Sequence, residues 1–113
     1  MIILCLLVAC SKIKIKDGYH MTYRFDSQKL FIGLNRLKVE IFDKKENKIT
    51  NFRVRAIVLM PNGTEQNPVI VRNKGSSYIL PLNLYLSGKY KIWLEILKGD
   101  EIFYKKELKV EVK

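Results

Sequence analysis

Between residues 19 and 112, apolar and polar side chains alternate with a period of two, and few folds accommodate that pattern. Residues 52–60 show it most plainly. Phe52, Val54, Ala56, Val58 and Met60 fall on one face, with Arg53, Arg55, Ile57 and Leu59 on the other. Residues 34–42 set Leu37, Val39 and Ile41 against Lys38 and Glu40. The same rhythm aligns Tyr78, Leu80, Leu82 and Leu84, then Tyr90, Ile92, Leu94 and Ile96, then Leu108, Val110 and Val112. Successive side chains of a strand point to opposite faces, so each segment is predicted to be a strand with one buried and one wet face. Turn signals separate them: the polar run 43–48, Pro61-Asn62-Gly63, Asn73-Lys74-Gly75, Ser87-Gly88 and Gly99-Asp100. With the aromatic segment 19–25 and the short run 69–72, about seven strands are expected and no helix. Strands wet on one side mark antiparallel sheets. The expected architecture is an all-β, two-sheet antiparallel sandwich over residues 19–113, and a chain of 113 residues has room for one such core.

Regular short strands of this kind suggest an immunoglobulin-like sandwich, in which segments 52–60 and 90–97 are neighbours. Their outward residues then adjoin. Ile57, Leu59, Trp93 and Leu97 would form an exposed apolar patch ringed by arginine and lysine. Such a patch suits a protein partner. The alternative is that it packs beneath the N-terminal segment or a long loop.

The first charge is Lys12, and both cysteines, Cys5 and Cys10, lie ahead of it. Ten helical residues reach about 15 Å, half of a hydrocarbon core of about 30 Å, so this run is too short to span a membrane. It fits a buried strand only in part. Its end, Leu7-Val8-Ala9-Cys10, resembles the lipobox of bacterial lipoprotein signal peptides. That resemblance implies a signal peptide at 1–9, a diacylglyceryl group on the Cys10 sulfur, and Cys10 as the mature N-terminus. Residues 10–18 are then the lipidated cysteine and a tether. The usual positive n-region is missing, so either the signal is unusually short or the true start lies upstream of Met1. Acyl chains anchor the protein in membrane lipid, on the periplasmic or extracytoplasmic face of the bacterial envelope. By resemblance to enterobacterial lipoprotein sorting, Ser11 in place of Asp points to the outer membrane. In the stretch that follows, Lys12, Lys14 and Lys16 alternate with Ile13 and Ile15. The readings are a solvated tether, a first edge strand with one polar face, or a basic segment against anionic lipid.

Losing Cys5 and acylating Cys10 leaves no free thiol, which removes disulfides, thiolate metal sites and a cysteine nucleophile. His20 is the single histidine. No catalytic triad, zinc spacing or glycine-rich phosphate loop can be assembled, so a non-enzymatic protein is expected. Asn62-Gly63-Thr64 has the form of a glycosylation acceptor but reads as a turn. His20, Met21 and Met60 are the soft donors that suit Cu(I), and they form a weak copper site if the first strand lies near the end of the third. The competing reading makes Met60 core filler and His20 a surface residue. The net charge of +10 and the aromatics interleaved with lysine and arginine are features that nucleic acid favours. An envelope location argues against that partner. Anionic lipid or an acidic partner is the expected use of the charge.

Residues 33–96 resemble the YtkA-like domain, a relative of the periplasmic part of FixH proteins. GLNRLKVEIFDKKENKIT resembles that family's opening strand and acidic turn, VRAIVLMPNG its strand ending in Met-Pro, and SSYILPLNLYLSGKYKIWLEI its Gly-x-Tyr hairpin. The resemblance implies a small envelope module, and in FixH-type members a link to haem–copper oxidase assembly. Two departures stand out. Relatives commonly carry more Met or His after Met-Pro, where this chain has Asn62-Gly63-Thr64-Glu65, and Tyr90 stands where Trp is usual. The expected function is a membrane-anchored binding or assembly accessory. The alternatives are a copper-handling or oxidase-assembly protein and a structural or carbohydrate-contacting module.

Overall fold

The computed structural model describes residues 11–27 and 29–113. Residues 1–10 lie outside the described residues, and with them the signal-peptide and Cys10 readings. The elements are β1 (Ser11–Lys14), β2 (His20–Phe25), β3 (Gly33–Phe42), β4 (Arg53–Leu59), β5 (Val69–Arg72), β6 (Tyr78–Leu84), β7 (Gly88–Lys98) and β8 (Glu101–Val112). They form two four-stranded sheets in the orders β1-β2-β3-β6 and β5-β4-β7-β8, with every pair antiparallel. The groupings β2-β3-β6 and β4-β7-β8 are those of the A-B-E and C-F-G strands of an immunoglobulin-like sandwich.

The alternation does what it dictates. Leu37, Val39 and Ile41 of β3, Val54, Ala56 and Val58 of β4, Leu80, Leu82 and Leu84 of β6, and Ile92, Leu94 and Ile96 of β7 fill the space between the sheets. Tyr90 near the start of β7 turns its hydroxyl back on the preceding corner, donating to Leu86 O at 2.7 Å and accepting from Leu86 N at 2.9 Å. This is the tyrosine corner of immunoglobulin-like sandwiches. It closes the end of the molecule where β4 finishes and β7 begins.

Two sequence expectations change. The described residues form eight strands where about seven were expected, because part of the segment read as a tether is β1, an edge strand paired with β2 from Ser11↔Tyr23 to Lys14↔His20. Four residues are too few for alternation to register, but Ile13 packs against the core and Lys12 points to solvent. Leu97, expected on an exposed patch, is buried at 4%. The β7–β8 register shifts between Ile96 and Leu97. Its partner Arg53 donates to Gly99 O at 2.7 Å, which draws the guanidinium over this corner.

Candidate binding surface

The outer face of the β5-β4-β7-β8 sheet is built in rows across the strands. One row sets Ile70 beside Arg55, Glu95 and Lys105; the next sets Ile57 beside Trp93 and Glu107; the last sets Leu59 beside Lys91 and Lys109. The neighbouring strands expected from the sequence are therefore real, and Ile57, Leu59 and Trp93 lie together, each half-buried. Leu97 stands apart from them, buried at the other end of β7.

At the centre of the face Glu95 is 2% exposed although it points away from the core. Arg55 makes a two-pronged contact with its carboxylate through Nε and Nη2, and Lys105 Nζ lies 3.5 Å away. A carboxylate withdrawn from water needs such partners. This ion pair fixes β4 against β7 beneath the apolar row.

Beyond that row the face opens into a groove of about 560 Å³. Leu59, Pro61, Tyr90 and Val110 give it an apolar floor, and Lys91, Lys109 and the cross-strand pair Lys89–Glu111 rim it, three cations to one carboxylate. One wall is the turn after β4. Gly63 N donates to Met60 O at 2.9 Å with Pro61 between, and Thr64 N is held by Asn62 Oδ1 at 3.0 Å. Gly88 lets that turn approach: it has φ +128, and a Cβ there would stand 2.9 Å from the Pro61 ring.

Lys91 and Lys109 are directly opposite each other on β7 and β8. The Lys91 ammonium sits 5.8 Å from the centre of the Trp93 ring and has no carboxylate partner among the described residues. Lys109 reaches Glu107 only at 3.9 Å. Two positive charges therefore face one another beside an apolar groove. Sequence alternation puts each lysine on an outward face. It carries no register, so their meeting was not readable.

The copper candidates do not converge. His20 and Met21 are consecutive on β2 and face opposite ways, Met21 into the core with 0% exposure. Tyr19, next to His20, stacks on Phe52 at 6.0 Å, whereas Met60 lies at the far end of the same β4 segment. Eight steps of roughly 3.3 Å each separate Phe52 from Met60. His20 instead stacks on Phe42 at 5.3 Å, with Nε2 3.3 Å from Glu46 Oε2, close enough for an ion pair but not aligned as a hydrogen bond. The same Glu46 accepts from Lys12 Nζ at 3.1 Å. That bond chiefly, with the charges of His20 and Lys12, holds the Glu46 carboxyl below its ordinary range. No cluster of three or more His, Cys, Asp or Glu suited to a metal occurs among the described residues.

Comparison with known proteins finds no matching family model and no matching curated protein.

Proposed function

We propose that the chain is a membrane-anchored, non-enzymatic accessory module of the bacterial envelope that binds an acidic segment of a partner protein in the Lys91–Lys109 groove. The observation that carries this reading is the facing lysine pair. Like charges directly opposite on antiparallel strands are destabilising. Here the pair stands at the rim of an apolar groove, where one bound carboxylate can lie between the two ammonium groups and offset their repulsion. Leu59, Pro61 and Val110 offer the apolar contact that an acidic, partly hydrophobic segment needs, and Ile57 with Trp93 extends it. Interfaces commonly combine such an apolar centre with a polar rim and an aromatic anchor. The lipobox at residues 7–10 supports the anchor, and the resemblance to the YtkA-like domain supports the envelope setting.

Trp93 is the single tryptophan, and its ring lies near the Lys91 ammonium, so its emission reports on the groove. Titration with a synthetic peptide rich in Glu and Leu is expected to shift that emission saturably. Added salt should weaken the response, and Lys91→Glu combined with Lys109→Glu should abolish it. An unchanged spectrum, or a response that survives the charge reversal, defeats the reading. The anchor has a separate test in bacterial cells: palmitate incorporation should vanish with Cys10→Ser.

A further inference from the structure

We infer that the domain lies flush on the membrane, with the outer face of the β1-β2-β3-β6 sheet against anionic lipid headgroups on the half nearest the β2–β3 loop. The inference rests on the acylation of Cys10 proposed above. Its first support is the lack of slack. β1 begins at Ser11, and consecutive Cα atoms are about 3.8 Å apart. A sheet that starts one residue after its lipid anchor has no spacer on which to hang free.

The direction follows from register. Ser11 pairs with Tyr23, which pairs with Val39. In the next row, one residue toward the β2–β3 loop, Arg24 stands directly opposite Lys38, both on the outer face. This is another like-charge pair, and it lies one row from the row that holds Ser11. Arg36 and Leu34 continue the same face of β3, and Lys29 is exposed on the loop. Asp26 is the acidic residue here, and Arg36 Nη1 reaches it at 3.7 Å. The carboxylates of Glu40 and Glu46 lie on the far half of the face, paired with Lys48 and Lys12. The half beside the anchor is thus cationic, which complements anionic lipid.

The same half carries apolar side chains held outward. Phe31, Ile32 and Leu34 are 51%, 55% and 49% exposed. They project because the chain turns sharply at Gly33, with φ +123, and the buried Asn35 clamps that turn. Asn35 Nδ2 donates to Phe31 O at 2.8 Å and to Gly33 O at 3.2 Å. Large apolar side chains rimmed by cations are the composition of an interfacial contact. The orientation leaves the opposite sheet, with Trp93 and the groove, turned away from the lipid. Stacked sheets lie roughly 10 Å apart, so an anchored protein keeps that face open to a partner.

The test uses the full lipidated protein in vesicles containing phosphatidylglycerol, with an environment-sensitive dye on Phe31→Cys or, as the comparison, on Glu107→Cys of the opposite sheet. The dye at 31 is expected to lose quenching by aqueous iodide and gain quenching by a lipid-borne quencher, while the dye at 107 stays open to iodide. Arg24→Glu with Lys38→Glu should return iodide quenching at 31 while the protein remains vesicle-bound. Iodide access at 31 equal to that at 107 in bound protein overturns the orientation and leaves the anchor intact. Protection at 31 that rises with the number of protein copies per vesicle at fixed lipid composition marks contact with a second copy and also overturns it. Absence of acyl label on Cys10 removes the anchor reading and the orientation with it.

Discussion

Tyr78 shows how one polar atom in the core holds a connection in place. Its ring is fully buried, and its hydroxyl donates to Ile49 O at 2.8 Å and accepts from Phe52 N at 3.3 Å, so it ties together the chain that passes from β3 to β4. Tyr78→Phe strands both backbone groups away from water. An unpaired buried donor or acceptor costs about 1–3 kcal/mol, so the unfolding free energy should fall by that much, read as a lower urea midpoint with an unchanged slope. A midpoint equal to the parent's would show that water reaches both groups. Glu46 gives the corresponding prediction for pH. Its carboxyl is depressed below the ordinary 4.5, first by the Lys12 hydrogen bond and then by the His20 and Lys12 charges. A depressed acid contributes stability that is present above the unfolded value and is lost as pH falls through the folded one. Lowering the pH through and below 4.5 should therefore release β1 from the turn that bears Glu46. Amide exchange in Ile13 and Lys14, corrected for its intrinsic pH dependence, should accelerate there. In Glu46→Gln that pH step should be missing.

At the scale of elements, the alternation in β3, β4, β6 and β7 was readable because each has a core face and at least three apolar residues to mark it. Seven strands and the two-layer arrangement follow from that pattern. β1 was not separable from a tether, because its four residues carry a single inward-packing isoleucine, Ile13. The adjacency of β4 and β7 could be read by analogy with immunoglobulin-like order, and so could the meeting of Ile57 with Trp93. The burial of Leu97 could not, because a register shift leaves no mark in composition. Nor could the burial of Glu95: on an outward face a glutamate reads as solvated until its neighbour across the strand is known. That neighbour is Arg55, and the pair yields an element-scale prediction. Arg55→Met leaves a carboxylate 2% exposed with only Lys105 at 3.5 Å, and should loosen the β4–β7 ladder. Breaking a buried ion pair costs roughly 3–5 kcal/mol; with Lys105 still present and Arg55 partly exposed, about 2–3 kcal/mol is expected. Arg55→Met combined with Glu95→Met should return most of that loss, because it removes the stranded charge as well. A double-mutant cycle by urea unfolding reads the coupling directly. Additive losses would show that Glu95 draws its compensation from elsewhere.

Across the described strands, like charges stand directly opposite each other at three places, and two of them lie where a ligand is proposed; the third, Arg53 opposite Arg72, has Asp100 3.8 Å from the Arg53 guanidinium. Arg24 faces Lys38 on one sheet and Lys91 faces Lys109 on the other. Neither pair helps the strands associate, since like charges across an antiparallel ladder repel. The two pairs differ in surroundings. Glu40 lies near enough to feel Arg24 and Lys38, with Lys48 the stronger influence on it, whereas Lys91 lies near the Trp93 ring and has no carboxylate partner among the described residues. The Lys91–Lys109 pair is therefore the cleaner place to separate stability from binding. Lys109→Glu turns a repulsive cross-strand pair into an attractive one without touching a core residue. A cross-strand pair is worth roughly 0.2–1 kcal/mol, so the variant should unfold at slightly higher urea than the parent. The same change puts a negative charge on the rim of the groove, so the acidic peptide that shifts Trp93 emission in the parent should bind it more weakly, with the salt dependence reduced. Stability and binding should move in opposite directions. A variant that is both less stable and weaker in binding would mean that Lys109 serves the fold. One that is more stable and binds as well as the parent would place the anionic partner elsewhere. Only gain in the first measurement with loss in the second supports a groove whose repulsion is kept for its ligand.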